Sequence, residues 1–278
     1  MVIKRASTLQ LAAAHVALLA YTVLALFPIV LVMINSLKSR NAIFGAPFSL
    51  PNETTFSLVG YNTVFERANF VLYFRNSLIV TIGALIFILI AGTMAAFALA
   101  EYEFSGNTFL GLYLALGIMI PIRLGTISIL RLMVGLGLND TLFGLILVYT
   151  AQGLPLAIFV LSQFMRQVPK DLKDAARVDG ASEYRIYWMV LPLVRPAVGT
   201  VMVFNMIPIW NDLWFPLILA PSEQNKTVTL GAQAFLGQFV NDWNAVLASL
   251  TLAIIPVVLL YILFSRQLIR GLTAGAVK

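Results

Sequence analysis

Residues Leu78 to Ala100 read LIVTIGALIFILIAGTMAAFALA and contain no Lys, Arg, Asp or Glu. A hydrocarbon core roughly 30 Å thick, at about 1.5 Å of rise per residue, requires about 20 apolar residues in a helix. This stretch supplies them without interruption, whereas a membrane-barrel strand would alternate apolar and polar residues over about 10 positions. It therefore predicts a spanning helix, which satisfies its own backbone where no water can. Read outward from it, the chain offers spans over 9–34, 78–100, 108–122, 141–165, 188–218 and 246–264. The fold class expected is an all-α polytopic membrane protein with six transmembrane helices, forming a single domain over 1–278.

Composition points the same way. The 278 residues are 60% apolar and 11% charged, with a mean hydropathy of +0.92. Soluble domains carry roughly a quarter charged residues, so a water-facing surface could not be built. The absence of cysteine excludes disulfides and thiolate chemistry, and His15, the single histidine, leaves no metal-ligand cluster. The net charge of +6 is scattered between apolar runs, which fits membrane orientation and not nucleic acid. Lys4 and Arg5 precede the first run as in a secretory signal, but the run continues to Ile34 for a full span, so it is expected to stay as a membrane helix.

With the N-terminus inside, the cytoplasmic side holds Lys4, Arg5, Arg166, Lys170, Lys173, Arg177, Arg185, Arg195, Arg266, Arg270 and Lys278. The outer side holds Lys38, Arg40, Arg67, Arg75, Arg123, Arg131 and Lys226. This bias places both termini in the cytoplasm. The inner loop Glu101–Asn107 has two acids and no base, and the outer segment Asn35–Ser77 has turn chemistry at Pro47, Pro51 and Asn52. Tyr61, Phe65, Phe70 and Tyr73 suggest an interfacial helix over 61–73.

The most charged stretch runs from Arg166 to Arg195. Pro169 suits a helix entrance, Asp171 its first turn and Gly180 a left-handed stop, after which Ser182 can cap a second helix with Glu183 in its first turn. Leu172, Ala175, Ala176 and Val178 give the first helix a small, apolar surface suited to a partner's cleft. The segment Asp174-Ala-Ala-Arg-Val-Asp-Gly-Ala-Ser182, followed by Leu191-Pro-Leu-Val-Arg-Pro196, resembles the signature cytoplasmic loop of permease subunits of binding-protein-dependent ABC importers. Phe74-Arg-Asn-Ser-Leu78, Leu136-Gly-Leu-Asn-Asp-Thr141, Trp210-Asn-Asp212 with Pro216, and the tail Arg270–Lys278 are similar to the carbohydrate-importer branch, specifically the second permease of maltose-type importers. Two departures stand out: Asp174 replaces the usual Glu, and Glu101-Tyr-Glu-Phe-Ser-Gly106 lacks the family's base.

The resemblance implies a coupling helix within 170–185 that docks in an ATPase groove, with Asp174, Ala175, Ala176, Asp179, Gly180 and Ala181 as transmission residues. It implies a tail, Arg270, Gly271, Leu272 and Thr273, that contacts the ATPase. It further implies a second permease as heterodimer partner, two ATPase subunits, a periplasmic or extracellular solute-binding protein and a place in the bacterial inner membrane. No G-x-x-x-x-G-K-[ST] loop is present, so ATP and Mg²⁺ belong to the partner ATPase, and no cofactor, metal or catalytic group is expected on this chain. Polar residues in or near spans are His15, Asn76, Gln152, Asn205, Asn211 and Asp212. Asn205, Trp210, Asn211 and Asp212 form the best solute-path cluster, because sugar sites combine an aromatic platform with amide and carboxylate partners. The expected function is an ATP-driven importer subunit for a sugar or glycoside. The alternatives are another polar solute such as glycerol phosphate, or a secondary transporter or channel, which would need intramembrane ionisable residues or broken repeats; Arg123 and Arg131 on the outer side would help attract an anionic solute such as a phosphorylated, sulfonated or uronic sugar.

Overall fold

The computed structural model describes residues 8–67, 69–236 and 242–274, with side chains described except at 8, 260 and 263–274. Among the described residues there are thirteen α-helices and no strand, and Lys38 and Phe56 form an isolated bridge. In chain order they are α1 Thr8–Ser36, α2 Arg40–Gly45, α3 Val59–Arg67, α4 Phe70–Glu101, α5 Asn107–Met119, α6 Thr126–Gly135 and α7 Leu142–Arg166. There follow α8 Lys170–Val178, α9 Glu183–Val190, α10 Arg195–Asn211, α11 Trp214–Leu219, α12 Val228–Ala232 and α13 Trp243–Ala274. The helices α1, α4 and α7 are each long and apolar enough to cross a bilayer. Two bent pairs pass the same test together: α5 with the segment Ile122–Gly135, at 84°, and α9 with α10, at 74°. A shorter apolar stretch, Trp243–Leu259, opens α13.

The boundaries differ from the sequence reading where proline and asparagine intervene. The expected span 188–218 is the end of α9, all of α10 and then α11, since Pro192 has no N–H to continue α9 while Pro196 suits the first turn of α10. The expected span 108–122 stops at Met119, ahead of Pro121. The expected interfacial helix over 61–73 is two helices, α3 ending at Arg67 and α4 starting at Phe70, with Asn69, a residue that favours helix starts, before the second.

The chain divides into two compact units, one comprising 1–70 and 232–253, the other 71–231 and 254–278. In the first, Lys38 is fully buried. Its Nζ donates to Asn35 Oδ1 at 3.2 Å and to the carbonyls of Ala46 at 2.9 Å and Pro47 at 3.2 Å. The Lys38 carbonyl in turn accepts from Asn244 Nδ2 at 2.7 Å. Asn52 Oδ1 accepts from the backbone N–H groups of Thr54 and Thr55, which makes the turn expected there.

In the second unit α4, α7 and α10 share a core that includes Val80, Ala84, Ile88, Leu145, Ala157, Leu161, Ala197 and Val201. They approach through Gly153, where a Cβ would lie 2.3 Å from Asn205 Oδ1 and 2.5 Å from Ile88 Cδ1. Asn76 is fully buried and ties α4 to the segment before α12 by donating to the carbonyls of Gln224 and Lys226 at 2.8 and 3.0 Å.

The buried ammonium of Lys38 is held by oxygens alone; replacing it strands Asn35 Oδ1, whereas the carbonyls of Ala46 and Pro47 keep donors in Ser49 and Asn35 Nδ2. Lys38→Met is expected to destabilise the protein by about 2–3 kcal/mol, read as a lowered midpoint in thermal unfolding of the detergent-solubilised complex; an unchanged midpoint would remove this role.

Candidate functional site

The charged segment after α7 is built as its sequence suggests, with one exception. The helix α8 starts after Pro169, carries Asp171 in its first turn and ends at Gly180, whose φ of 79° is left-handed. The N–H of Ala181 reaches the Ala176 carbonyl at 2.9 Å and that of Gly180 the Arg177 carbonyl at 3.0 Å, the paired bonds of a Schellman stop. Ser182 is the exception: it stands at the N-cap of α9 in an extended conformation, but its side chain makes no capping bond. Its carbonyl accepts from the N–H groups of Arg185 and Ile186 instead. Buried Val168 before α8, and Ile186 and Val190 in α9, belong to the bundle core, so α8 is fixed at both flanks.

A set of charges fixes it from below. The side chains of Glu101 and Lys173 are only 4% and 7% exposed, and Lys173 Nζ donates to Glu101 Oε2. Arg177 Nη2 donates to Glu101 Oε1 at 2.6 Å, Nη1 to Asp174 Oδ1 at 2.8 Å, and Nε to Glu183 Oε1 at 2.9 Å. The Tyr102 hydroxyl closes the set by donating to Glu183 Oε2 at 2.8 Å. The C-terminal end of α4 is therefore held to α8, with the acid on α4 and the bases on α8. Arg177, and then Tyr102, hold the Glu183 carboxyl below the usual carboxylate range, while burial and Glu183 push the Tyr102 hydroxyl up to about 12.

The expected transmission residues fall on different sides of this assembly. Asp174 is exposed and spends its carboxylate on Arg177; Ala175 and Asp179 are exposed; Ala176 and Ala181 are half-buried against the core. Leu172 and Val178, 42% and 89% exposed, stand beside Ala175 on the outward face. That Glu101 and Glu183 pair with Lys173 and Arg177 was not read from the sequence. The signal was there, in an acid-only loop and bases four residues apart on α8, but nothing in the linear order says which loop α8 meets. The backbone of the expected tail contact Arg270–Thr273 is helical, its side chains lie outside the described residues, and so does 275–278.

The solute-path cluster also separates. Asp212 is buried, and its carboxylate accepts from Arg123 Nη2 at 3.0 Å, the Tyr149 hydroxyl at 2.8 Å and the backbone N–H groups of Trp214 and Phe215 at 3.3 and 3.1 Å. It starts α11 and leaves no oxygen for a solute. Trp210 is buried, edge-on to Phe74 with ring centroids 5.7 Å apart, and exposed Asn211 donates to the Ile207 carbonyl at 3.0 Å. Asn205 is buried and donates to the Val201 carbonyl at 2.9 Å. It also lines a cavity of about 600 Å³ among α5, α7 and α10, together with Arg123, Tyr149, Gln152 and Phe204.

Removing one member of the buried pair should strand the other. Glu101→Gln is expected to cost roughly 3 kcal/mol, with most of it recovered by adding Lys173→Met, as measured by thermal unfolding of the complex. Because the folded-state pKa of Glu183 is depressed, its contribution is present at neutral pH and is lost as pH falls through that lowered value. Amide exchange over 170–183, corrected for intrinsic rates, should therefore stay protected from pH 7 down to about 5 and rise only below about 4; loss of protection near pH 6 would contradict the arrangement.

Residues 18–274 match the family described as binding-protein-dependent transport system inner membrane component. The chain is 33% identical over 270 residues to the diacetylchitobiose uptake system permease protein NgcG of Streptomyces coelicolor, covering 96% of this chain and 89% of that one. It is 29% identical over 260 residues to the arabinooligosaccharides transport system permease protein AraQ of Bacillus subtilis, covering 92% of each. Its fold is similar to a chain in the crystal structure of a bacterial ABC transporter involved in the import of the acidic polysaccharide alginate, with a TM-score of 0.79 at 24% identity, covering 96% of this chain and 99% of that one. With its apolar helices and a family match over nearly its whole length, the chain is a multi-pass membrane protein belonging to the inner membrane components of binding-protein-dependent transport systems.

Proposed function

We propose that this chain is one of two permease subunits of a sugar importer, coupled to ATP hydrolysis on partner chains. The observation that carries the reading is α8, a nine-residue helix with a Schellman stop, seated on the chain's own core and clamped to Glu101, with Leu172, Ala175 and Val178 left outward. A helix fixed so firmly on one side and offering small and apolar groups on the other is suited to transmit a partner's movement into the bundle as rocking between inward-open and outward-open states. In this reading the ATPase groove takes the outward face of α8, with Asp174 and Asp179 at its polar edge and Gly180 as the turn that ends it. Ala176 and Ala181 serve the internal side of the same contact.

The sugar assignment is supported by relatives that serve diacetylchitobiose and arabinooligosaccharide uptake. This chain has no phosphate-binding loop, so ATP and Mg²⁺ sit on two ATPase subunits. A companion permease completes the path, and a solute-binding protein delivers from the outer side. Both termini lie in the cytoplasm, by the excess of basic residues there, with the tail from Arg270 directed to the ATPases.

The test uses the exposed alanine. Tagged and expressed with its neighbouring genes, the wild-type chain should co-purify with an ATPase and a second permease and import sugar in proteoliposomes. Ala175→Trp adds bulk to an exposed position. It should leave the thermal midpoint unchanged, reduce recovery of the ATPase and lower import more than about tenfold, equivalent to about 1.4 kcal/mol of lost contact. Undiminished import by that variant, or a wild-type chain that moves solute alone without ATP, would reject the reading.

A further inference from the structure

A second cavity, of about 370 Å³, lies beside the charged set, between the end of α4 and α9. Its walls include four aromatic rings, Phe97, Tyr102, Tyr184 and Tyr187, together with Met94 and Glu183. Three of the rings are held in place. Phe97 stands edge-on to Tyr102 and Tyr187, with ring centroids 6.1 and 5.6 Å apart, and the hydroxyls of Tyr102 and Tyr187 are bound to Glu183 and Thr93. The fourth, Tyr184, is 75% exposed. Glu183 accepts twice from Arg177 and once from Tyr102, which leaves about one of the four acceptor positions of a carboxylate, and its side chain is 44% exposed. The ion-paired set it belongs to, Glu101, Asp174 and Glu183 against Lys173 and Arg177, has one acid in excess. Ring faces and an unbalanced carboxylate both attract a cation.

The level of this cavity is set by α4. Its apolar run ends at Ala100, so Met94 to Tyr102 stand where hydrocarbon gives way to head groups. Tyr184 and Trp188, one turn apart on α9 and both exposed, are the residue types that collect at that level. From the cavity into the hydrocarbon, Met94, Ile90 and Phe87 are exposed at the spacing of a single helix face.

We infer that this cavity and the α4 face above it hold a phospholipid with a primary ammonium head group. The ammonium sits among the rings and donates to the Glu183 carboxylate, and the acyl chains lie along Met94, Ile90 and Phe87. A head group without an ammonium would meet the excess acid with nothing to offer it. A soluble amine would leave the apolar face of α4 uncovered. Glu183 also binds Arg177, so the head group shares the carboxylate that fixes α8. The inference needs only that the chain resides in a membrane and does not depend on the importer reading.

The experiment uses the complex that carries this chain, purified in detergent and stripped of its native lipid. The probes are dioctanoyl phosphatidylethanolamine, dioctanoyl phosphatidylglycerol and the chain-free O-phosphoethanolamine. The ethanolamine lipid should raise the thermal midpoint of the wild-type complex where the other two do not, and native mass spectrometry should find it retained about tenfold over the glycerol lipid. Tyr184→Leu keeps apolar bulk without a ring and should lower that retention about fivefold. Tyr113→Leu, at a comparably exposed tyrosine of α5, should leave it unchanged. Equal retention of the two lipids, equal losses in the two variants, or no bound lipid of either class because a companion subunit seals the face would overturn the site. A midpoint raised as far by O-phosphoethanolamine would overturn the lipid assignment in favour of a soluble amine. Should Tyr184→Leu fail to assemble, the wild-type midpoints decide.

Discussion

Hydrocarbon offers the peptide backbone no hydrogen-bond partner, and the rest of this protein follows from where the chain obeys that constraint and where it breaks it. Over α4 it obeys, with 32 residues in helix and no proline inside. At Pro155 in α7 and Pro208 in α10 the ladder loses a donor, and Ala151 and Phe204, four residues back, border one cavity. Dispersed through a lipid-facing helix, such breaks would only cost stability. Here they border one cavity whose wall is mainly apolar, and the charge of Arg123 on that wall is offset by Asp212.

The opposite problem arises at the charged segment, where the groups are ionic and must be held in place. Burying Glu101 and Lys173 is costly, and such a pair is weak evidence of added stability; its use here is to fix a position. Arg177 extends the arrangement by binding Glu101, Asp174 and Glu183 at once, so the end of α4, the helix α8 and the start of α9 share one guanidinium. Any force on α8 is then carried into α4 as well as into α9 and α10. The bases stand on α8 at a spacing that turns both toward the same carboxylate.

The two regions answer separate needs through the same helices. The helices α4, α7 and α10 form the core around Ile88 and Gly153, α4 ends in the Glu101 clamp, and α7 and α10 carry Gln152 and Phe204 at the cavity. A displacement at α8 therefore has a packed route to the cavity wall. At Gly153 the three helices approach closely, since one added carbon would have to displace the ends of the Asn205 and Ile88 side chains. This is how a close-packed interior transmits a shift without absorbing it.

Hydropathy, spacing and turn residues decided much of this from the sequence alone: the helical class, the apolar runs and α8 with its Gly180 stop, while the family followed from the resemblance of the segment Asp174–Ser182. Those are local properties, because a run of apolar side chains or a glycine at a left-handed position acts within a few residues of itself. Proline effects at Pro121 and Pro192 are local too, yet whether a run bends or ends there depends on neighbouring helices, and so 108–122 and 188–218 were drawn too simply. Tertiary structure alone decided that Asp212 and Trp210 are internal supports, that Gln152 and Phe204 face one cavity, and that Glu101 is the counter-charge of Lys173 and Arg177. Each of these joins residues about fifty to 140 positions apart, and a ring contact, hydrogen bond or ion pair at that separation exists only after the helices between have packed.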